Sequence, residues 1–335
     1  MNREPGNPPG DALPFVSVII PIFNRAETLE KCLQTLAAQR YPHFEVIVVD
    51  DGSGDEAAGK TVERLGRPDF QIISLPENQG VAAARNAGMR KARGDVFVFS
   101  DADCFFENDW LRDLVRPLSS PRTGCSGGPD QAPAVAGLKG KCIDYSMHSL
   151  IASGGIRRGE CRLAKYSPAG CNMAIKREVV ERVGAFDPSL RRRGEEKELE
   201  HRMRMCGYDI VYVKSARVWH HRRPTITSFA RQTFFSGMAR TDIVRRFPEA
   251  LELAHVAPAL LTGALFLGGI AALFNPSARR VWIPMLAAYL LLLLTDGLIG
   301  AMTLRRSRAL FVIPLTSAVI HFAYGAGTIF GWLRG

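Results

Sequence analysis

Two aspartates one residue apart, Asp101 and Asp103, sit within the segment 94–110, GDVFVFSDADCFFENDW. The run Val96, Phe97, Val98, Phe99 before them reads as a short buried strand. In an extended or gently turning backbone, residues i and i+2 point to the same side, so both carboxylates can reach one point. A hard divalent cation, Mg²⁺ or Mn²⁺, is commonly held by one or two carboxylates together with substrate phosphates. Taken alone, the pair reads first as a solvated acidic turn, and it is the surrounding chain that favours a cation site. A second acidic pair, Asp50 and Asp51, ends another apolar run and offers acceptors for base N–H groups and ribose hydroxyls. Arg85 follows a third such run and can meet a base or a phosphate.

Elements that could hold these groups are spelled out in order. Residues 15–20 (FVSVII), 44–49 (FEVIVV), 70–75 and 96–99 read as strands. Helices are expected over 27–39 and 57–65, and another opens within 78–88 (NQGVAAARNAG), whose small residues allow close packing. Strand and helix alternating at this spacing imply right-handed βαβ units and a parallel sheet, an α/β fold. Such sheets take ligands at the C-terminal ends of their strands. Both acidic pairs then face one edge, where a nucleotide would find acceptors at 50–51 and a cation site for its pyrophosphate at 101–103. Further on, GEEKELEHRM reads as a solvated amphipathic helix with an i,i+4 pair, Glu198 and Arg202. Its leading Glu195 and Glu196 suit the positive end of the helix dipole. His220 and His221 follow a strand expected over 210–213.

FVSVIIPIFNRAETLEKCLQTLAAQ, VIVVDDGSGD and NQGVAAARNAGMRKARGDVFVFSDAD together resemble the sugar-nucleotide half of a family 2 glycosyltransferase of the GT-A fold. CNMAIKREVVERVGAFDPSL resembles the stretch before that family's catalytic acid, and GEEKELEHRMRMCGYDIVYV resembles its G-E-D-x-[DE]-L-x-x-R segment. VWHHRRPTITSFARQTFFSGMAR resembles the region with a His and a following R-Q…G helix. The likeness runs in order over 15–245. It implies a Rossmann-like, mostly parallel GT-A domain, with a nucleotide-sugar half (15–110) and an acceptor and catalytic half (111–245). It also implies inverting transfer from a nucleotide-diphospho-sugar to a lipid-linked or glycan acceptor. By the resemblance, Pro21, Asn24, Asp50, Asp51, Arg85 and Asp101 serve the donor. Asp101, Asp103 and His220 serve the metal, although the histidine doublet leaves its register open and a pyrophosphate contact is the alternative for His220. The general base falls in the pair Glu195–Glu196. The family commonly has Glu-Asp there with the Asp as base, so Glu196 takes that place with a side chain one methylene longer. Arg222, Arg223, Arg231 and Gln232 could clamp a pyrophosphate, since arginine matches phosphate oxygens bidentately. Arg191, Arg192 and Arg193 could face lipid head groups or an acceptor's phosphates.

The chain has 335 residues and a net charge of +10. Residues 157–246 hold 21 Lys and Arg against 10 Asp and Glu, so this segment carries the whole surplus. It suits phosphates or an anionic membrane surface better than nucleic acid, whose binding motifs are missing. Seven cysteines without C-x-x-C spacing point to neither a zinc site nor a disulfide framework, and suit a reducing compartment. Residues 1–14 read as a polar, Pro- and Gly-rich disordered tail without a signal-peptide core, so the catalytic domain is expected in the cytosol. Three apolar stretches, 254–274, 281–304 and 309–333, are each long enough to cross a bilayer. With a cytosolic domain, the inside flanks hold Arg240, Arg245, Arg246, Arg305, Arg306 and Arg308, and the outside holds Arg279, Arg280 and Arg334. That asymmetry agrees with a multi-pass protein of the inner (plasma) membrane, though one segment could also form a re-entrant hairpin. Asp296 and His321 lie at membrane depth, where they could pair, line a lipid groove or make structural hydrogen bonds. Two other classes stay open: a glycan synthase that also exports its product, and an inactive nucleotide-binding scaffold. The first would favour more spans and a Q-x-x-R-W stretch, whereas Gln232 is followed by Thr233 and Phe234. The second need not keep both acidic pairs, the glutamates and the histidine together.

Overall fold

A computed structural model describes residues 13–158, 165–190, 194–223 and 225–334. Cys161, Arg191 to Arg193 and all of the N-terminal tail before Leu13 lie outside the described residues.

The first half alternates as its sequence spacing implies: β1 (Val16–Ile22), α1 (Ala26–Ala37), β2 (Phe44–Asp50), α2 (Ala57–Leu65), β3 (Phe70–Ser74), α3 (Val81–Lys91) and β4 (Val96–Phe99). Strands β2 and β4 are buried at every position, which is why they read as continuous apolar runs. Helices α1 and α2 cover one face of the sheet through Leu29, Leu33, Leu36 and Val62. Helix α3 covers the other through Ala82, Ala84 and Met89.

The second half adds β5 (Cys104–Phe106), α4 (Trp110–Val115), β6 (Thr123–Gly127), β7 (Asp130–Gln131), α5 (Leu138–His148), α6 (Leu150–Ser153), β8 (Met173–Lys176), α7 (Arg177–Val183), α8 (Glu195–Met205), β9 (Asp209–Tyr212), β10 (Val218–His220) and α9 (Ile226–Arg246). The main sheet has the order β3-β2-β1-β4-β8-β6-β9. All its pairings are parallel except the two made by β8. A smaller sheet, β5-β10-β7, stands beside it. In that sheet β10 runs antiparallel to β5 with His220 opposite Cys104, one residue from Asp103. This register is what joins two parts of the chain at one site.

Three apolar helices close the chain, α10 (Leu253–Phe274), α11 (Pro276–Leu304) and α12 (Ala309–Leu333), each long and apolar enough to cross a membrane. Helix α11 begins at Pro276 rather than at 281. The Asn275 side chain accepts the N–H groups of Ser277 and Ala278, and proline suits the first helical position. Arg279 and Arg280 therefore belong to the helix and not to a connecting loop. Asp296 and His321 do not bond each other. The Asp296 carboxylate accepts from Ser149 (2.6 Å), Tyr145 (3.2 Å) and Ser317 (2.7 Å). His321 lies between the Tyr289 hydroxyl and the Ile151 carbonyl, both at 3.1 Å. Of the three roles open in the sequence, the structural hydrogen bond is the one these contacts make, and they tie the apolar helices to α5 and α6.

Helix α9 packs along α12 at a separation only glycines permit. A Cβ on Gly327 would lie 2.0 Å from the Phe234 carbonyl oxygen, and one on Gly237 would lie 2.3 Å from that of Tyr324. At the far end, Arg245 donates to the Trp332 carbonyl at 2.8 Å. The charge count over the flanks set Arg245 and Arg334 on opposite faces of a bilayer. The fold sets the end of α12 beside α9 instead.

Candidate active site

After β4 the chain turns, with the Cys104 N–H donating to the Asp101 carbonyl at 3.1 Å, and enters β5. The turn leaves Asp101 and Asp103 facing β10. His220 Nε2 lies 3.2 Å from Asp103 Oδ1, and one donor atom each from Asp101, Asp103 and His220 fall within 4.8 Å of one another. His221 is exposed and its ring sits 5.7 Å from that of Phe105, so His220 is the member of the doublet beside the aspartates. Two carboxylates and an imidazole form a donor set that fits Mn²⁺ or Mg²⁺. Arg25, at the end of the loop after β1, reaches Asp103 Oδ2 at 3.2 Å. Burial, only partly offset by Arg85, and the neighbouring charge of Asp103 lift the Asp101 carboxyl above its ordinary value. Burial also acts on Asp103, but His220 and Arg25 outweigh it and hold that carboxyl below. Behind the imidazole, Cys104 and Cys171 form a second three-donor group with His220, a proximity that cysteine spacing did not reveal.

Arg85 connects this cluster to the glutamates. It is 3 % exposed, with Nη1 2.8 Å from Glu195 Oε1 and Nη2 3.6 Å from Asp101 Oδ1. Nη2 also donates to the Gly170 carbonyl at 3.0 Å. The sequence points Arg85 at a base or a phosphate; in the fold its two Nη atoms are engaged by these three partners. Gly194, at φ +97°, turns the chain into α8 in the left-handed region that favours glycine. The two glutamates thereby open the helix, where the dipole favours negative charge. Their environments diverge. Burial, then the charge of Glu196, push Glu195 from its ordinary 4.5 to about 7 against the pull of Arg85. Glu196 is less buried, and Lys197 with Arg85 outweigh its desolvation and hold it below the ordinary value.

The raised carboxyl of Glu195 carries a stability consequence with a definite sign. Its folded-state value lies above the unfolded one, so its contribution is full below pH 4.5 and is lost as pH rises through about 7. Glu195→Gln cannot ionise. Between pH 5.5 and 8 its unfolding free energy is expected to gain about 2 kcal/mol on wild type. Paired thermal melts in detergent at the two pH values check this, and a pH-independent difference would refute it.

The other predicted donor groups gather along the same sheet edge. The Asn24 side chain accepts the Gly54 N–H at 3.2 Å, and Asp50 accepts that of Ser53 at 3.0 Å. Pro21 pairs with Val49 in the sheet beneath them. Both oxygens of Asp51 are engaged by the N–H groups of Gln79 (2.8 Å) and Gly80 (2.9 Å), so this carboxylate braces the entry to α3. Beside Asp50 is a concavity of ≈ 490 Å³ lined by Ser53, Gly54, Lys60 and Ser74. Arg222 departs from the expected clamp: its side chain is 4 % exposed, with Nη1 2.6 Å from Asp130 and Nη2 2.5 Å from Asp144. These ion pairs fasten the segment after β10 to β7 and α5. Arg223 donates to Gln232 at 3.0 Å, and Arg231 is exposed. Asp130, whose Oδ2 lies 3.8 Å from His220 Nδ1, escaped sequence reasoning, since GGPDQ carries only turn signals.

Comparison with known proteins agrees with this architecture. The model of glycosyl transferase family 2 matches residues 17–184. Glycosyltransferase AglE of Haloferax volcanii is 30 % identical over 218 residues, covering 63 % of this chain and 68 % of that protein. Glucosyl-dolichyl phosphate glucuronosyltransferase of the same organism is 25 % identical over 250 residues, covering 71 % of this chain and 80 % of its own length. Among solved structures, the mannosyltransferase PcManGT from Pyrobaculum calidifontis, in complex with GDP-Man and Mn²⁺, superposes with a TM-score of 0.68. It is 21 % identical over 96 % of this chain and 88 % of that one, a likeness of fold. With half its length matched by the family model and a relative of this identity and coverage, the chain belongs to glycosyl transferase family 2 and is a glycosyltransferase of the GT-A fold.

Proposed function

We propose that the protein is a membrane-anchored inverting glycosyltransferase that moves a sugar from a nucleotide-diphospho-sugar to a lipid-linked or glycan acceptor. The observation that carries this reading is the continuous constellation along one sheet edge. Donor-side groups at Asn24 and Asp50 lead to the Asp101–Asp103–His220 cluster, and Arg85 joins that cluster to Glu195 and Glu196. The name of one relative includes a dolichyl phosphate acceptor, and one structural neighbour was solved with a nucleotide sugar and Mn²⁺.

Asp103 and His220, with Asp101, would hold Mg²⁺ or Mn²⁺ against the donor pyrophosphate. A cation bound there offsets the charge that develops on the leaving nucleoside diphosphate. Asn24, Asp50 and the concavity beside it receive the nucleoside, and Asp51 fixes the loop below. Glu196, ionised at neutral pH and less buried than Glu195, takes the proton from the acceptor hydroxyl on the face opposite the leaving group. Glu195, buried against Arg85, fixes the start of α8 and so the position of Glu196. The three apolar helices anchor the enzyme to the plasma membrane with its catalytic domain on the cytoplasmic side, beside an acceptor delivered by the bilayer.

The test is nucleotide release by the detergent-purified protein with UDP-, GDP- and dTDP-sugars, with and without Mn²⁺ or Mg²⁺. Turnover is expected with one donor and only with cation, and Asp103→Ala should lower it roughly a hundredfold. Isothermal titration with each nucleoside diphosphate runs alongside. No cation-dependent binding to any of them would overturn the reading.

A further inference from the structure

We infer that α12 does not cross the membrane but lies along its surface beneath the catalytic domain, with its C-terminal end on the side of that domain. The helix touches catalytic-half elements from end to end. Ala309 and Ile313 pack with Cys142 of α5, and Ile320 packs with Ile143 of α5 and Phe229 of α9. His321 Nε2 meets the Ile151 carbonyl of α6, Gly327 abuts Phe234 of α9, and the Trp332 carbonyl accepts from Arg245. An upright helix of 25 residues would set its ends about 37 Å apart along the bilayer normal. The hydrocarbon core is about 30 Å thick, so a domain resting on one side could not meet both ends.

The exposed face agrees. Phe311, Leu315, Phe322 and Leu333 are 78 %, 53 %, 36 % and 80 % exposed. At 3.6 residues per turn these four fall in one stripe, opposite the face that holds Ile313, Ile320, Gly327 and Gly331. The occupant of such a stripe is lipid. It continues the exposed apolar surfaces of α10 and α11, represented by Phe266 and Leu291. Arg305, Arg306 and Arg308 stand at one end, with Arg245 and Arg334 at the other, where anionic head groups would meet them. A surface helix of this kind sits about 5–10 Å into the boundary between head groups and acyl chains. Helix α11 packs along α12 through Tyr289, Gly297 and Gly300. It is therefore the outer part of the α10–α11 hairpin that enters the bilayer and returns, and the charge count that set Arg334 outside no longer applies.

Two readouts on the full-length protein in oriented vesicles test this, and neither uses activity, so its failure is separate from failure of the transferase reading. Cys206 is exposed on the catalytic domain and marks that side. A membrane-impermeant maleimide, read peptide by peptide, should label Arg334→Cys from the same side as Cys206. Labelling from the opposite side would overturn the inference. Nitroxides introduced at Phe311, Phe322 and Leu333 in a Cys206→Ser background should report similar, shallow depths by oxygen accessibility. A profile deepest at Phe322 and shallow at both ends is that of a spanning helix and would equally overturn it. Phe311 and Leu333 are exposed, and Phe322 packs against Tyr289 of α11, so the substitutions leave the face packed on α5 and α9 intact.

Discussion

Glu196→Gln is expected to lower turnover about 10²- to 10⁴-fold while leaving the affinity for donor unchanged, because the amide keeps the size and hydrogen-bonding reach of the side chain but cannot take a proton. The two glutamates at the start of α8 are distinguished by their surroundings. Glu195 is buried, faces Arg85 and is raised to about 7, while Glu196 is less buried and held below its ordinary value, chiefly by Lys197 against the cost of burial. Titratable groups whose environments push them apart divide the labour of a site between them. The base is the one already ionised and within reach of an acceptor. A base with a depressed value also leaves the acid limb of the pH–kcat/KM profile below the usual carboxylate range. Single-turnover transfer and donor titration of wild type, Glu196→Gln and Glu195→Gln separate the roles. If Glu195→Gln loses turnover and Glu196→Gln retains it, the assignment is reversed. Glu196→Asp bears on the extra methylene: substantial activity there would mean that this site tolerates the shorter reach common in the family.

What could be read from the sequence follows from how local each signal is. Strands β1, β2 and β4 are short, parallel and buried on both faces, so each shows as a largely apolar run, while the edge strand β3 is only half-buried. The acidic residues that end β2 and follow β4 mark their C-terminal ends. Apolar helices are equally plain, and even the early start of α11 was written in Asn275 and Pro276. Helices α5 and α6 were not legible. Lys139, Gly140 and Lys141 interrupt the apolar pattern of α5, and its buried residues face other helices of the fold rather than the sheet. The reversal of β8 leaves no local trace, since a four-residue strand reads alike in either direction. Tertiary pairing decided the remainder. Arg222 looks like any basic residue of a charged stretch, and only the folded chain shows it committed to Asp130 and Asp144. Likewise, i,i+2 spacing could bring Asp101 and Asp103 to one side, but the β5–β10 register was needed to bring His220 to them.

Arg85→Met is expected to cost about 3–5 kcal/mol of stability, the usual result of removing one partner from a buried ion pair and stranding the other. In a domain of this size that corresponds to a fall in Tm of roughly 10 °C. The side chain is buried and serves three segments at once: Glu195 of α8, Asp101 of the β4–β5 turn and the carbonyl of Gly170. Gly170 leaves space for the guanidinium, since a Cβ there would lie 2.7 Å from Nη2. Lysine keeps the charge but not the planar fork that reaches both carboxylates, so Arg85→Lys should recover only part of the loss. The charge argument makes a further demand. In the Arg85→Met background Glu195 has no counter-charge and must bind a proton to stay buried. At pH 8 that proton is costly to hold, so adding Glu195→Gln removes the cost and should restore much of the stability. Denaturant melts of the four proteins in the cycle decide it. An additive or worse double variant would mean that Arg85 stabilises the fold through its packing against Phe99 and Phe186 and not through Glu195. A restored double variant that still fails to transfer sugar would show that the pair also sets the position of Glu196, because stability and turnover would then have been separated at a residue that need not touch the substrate.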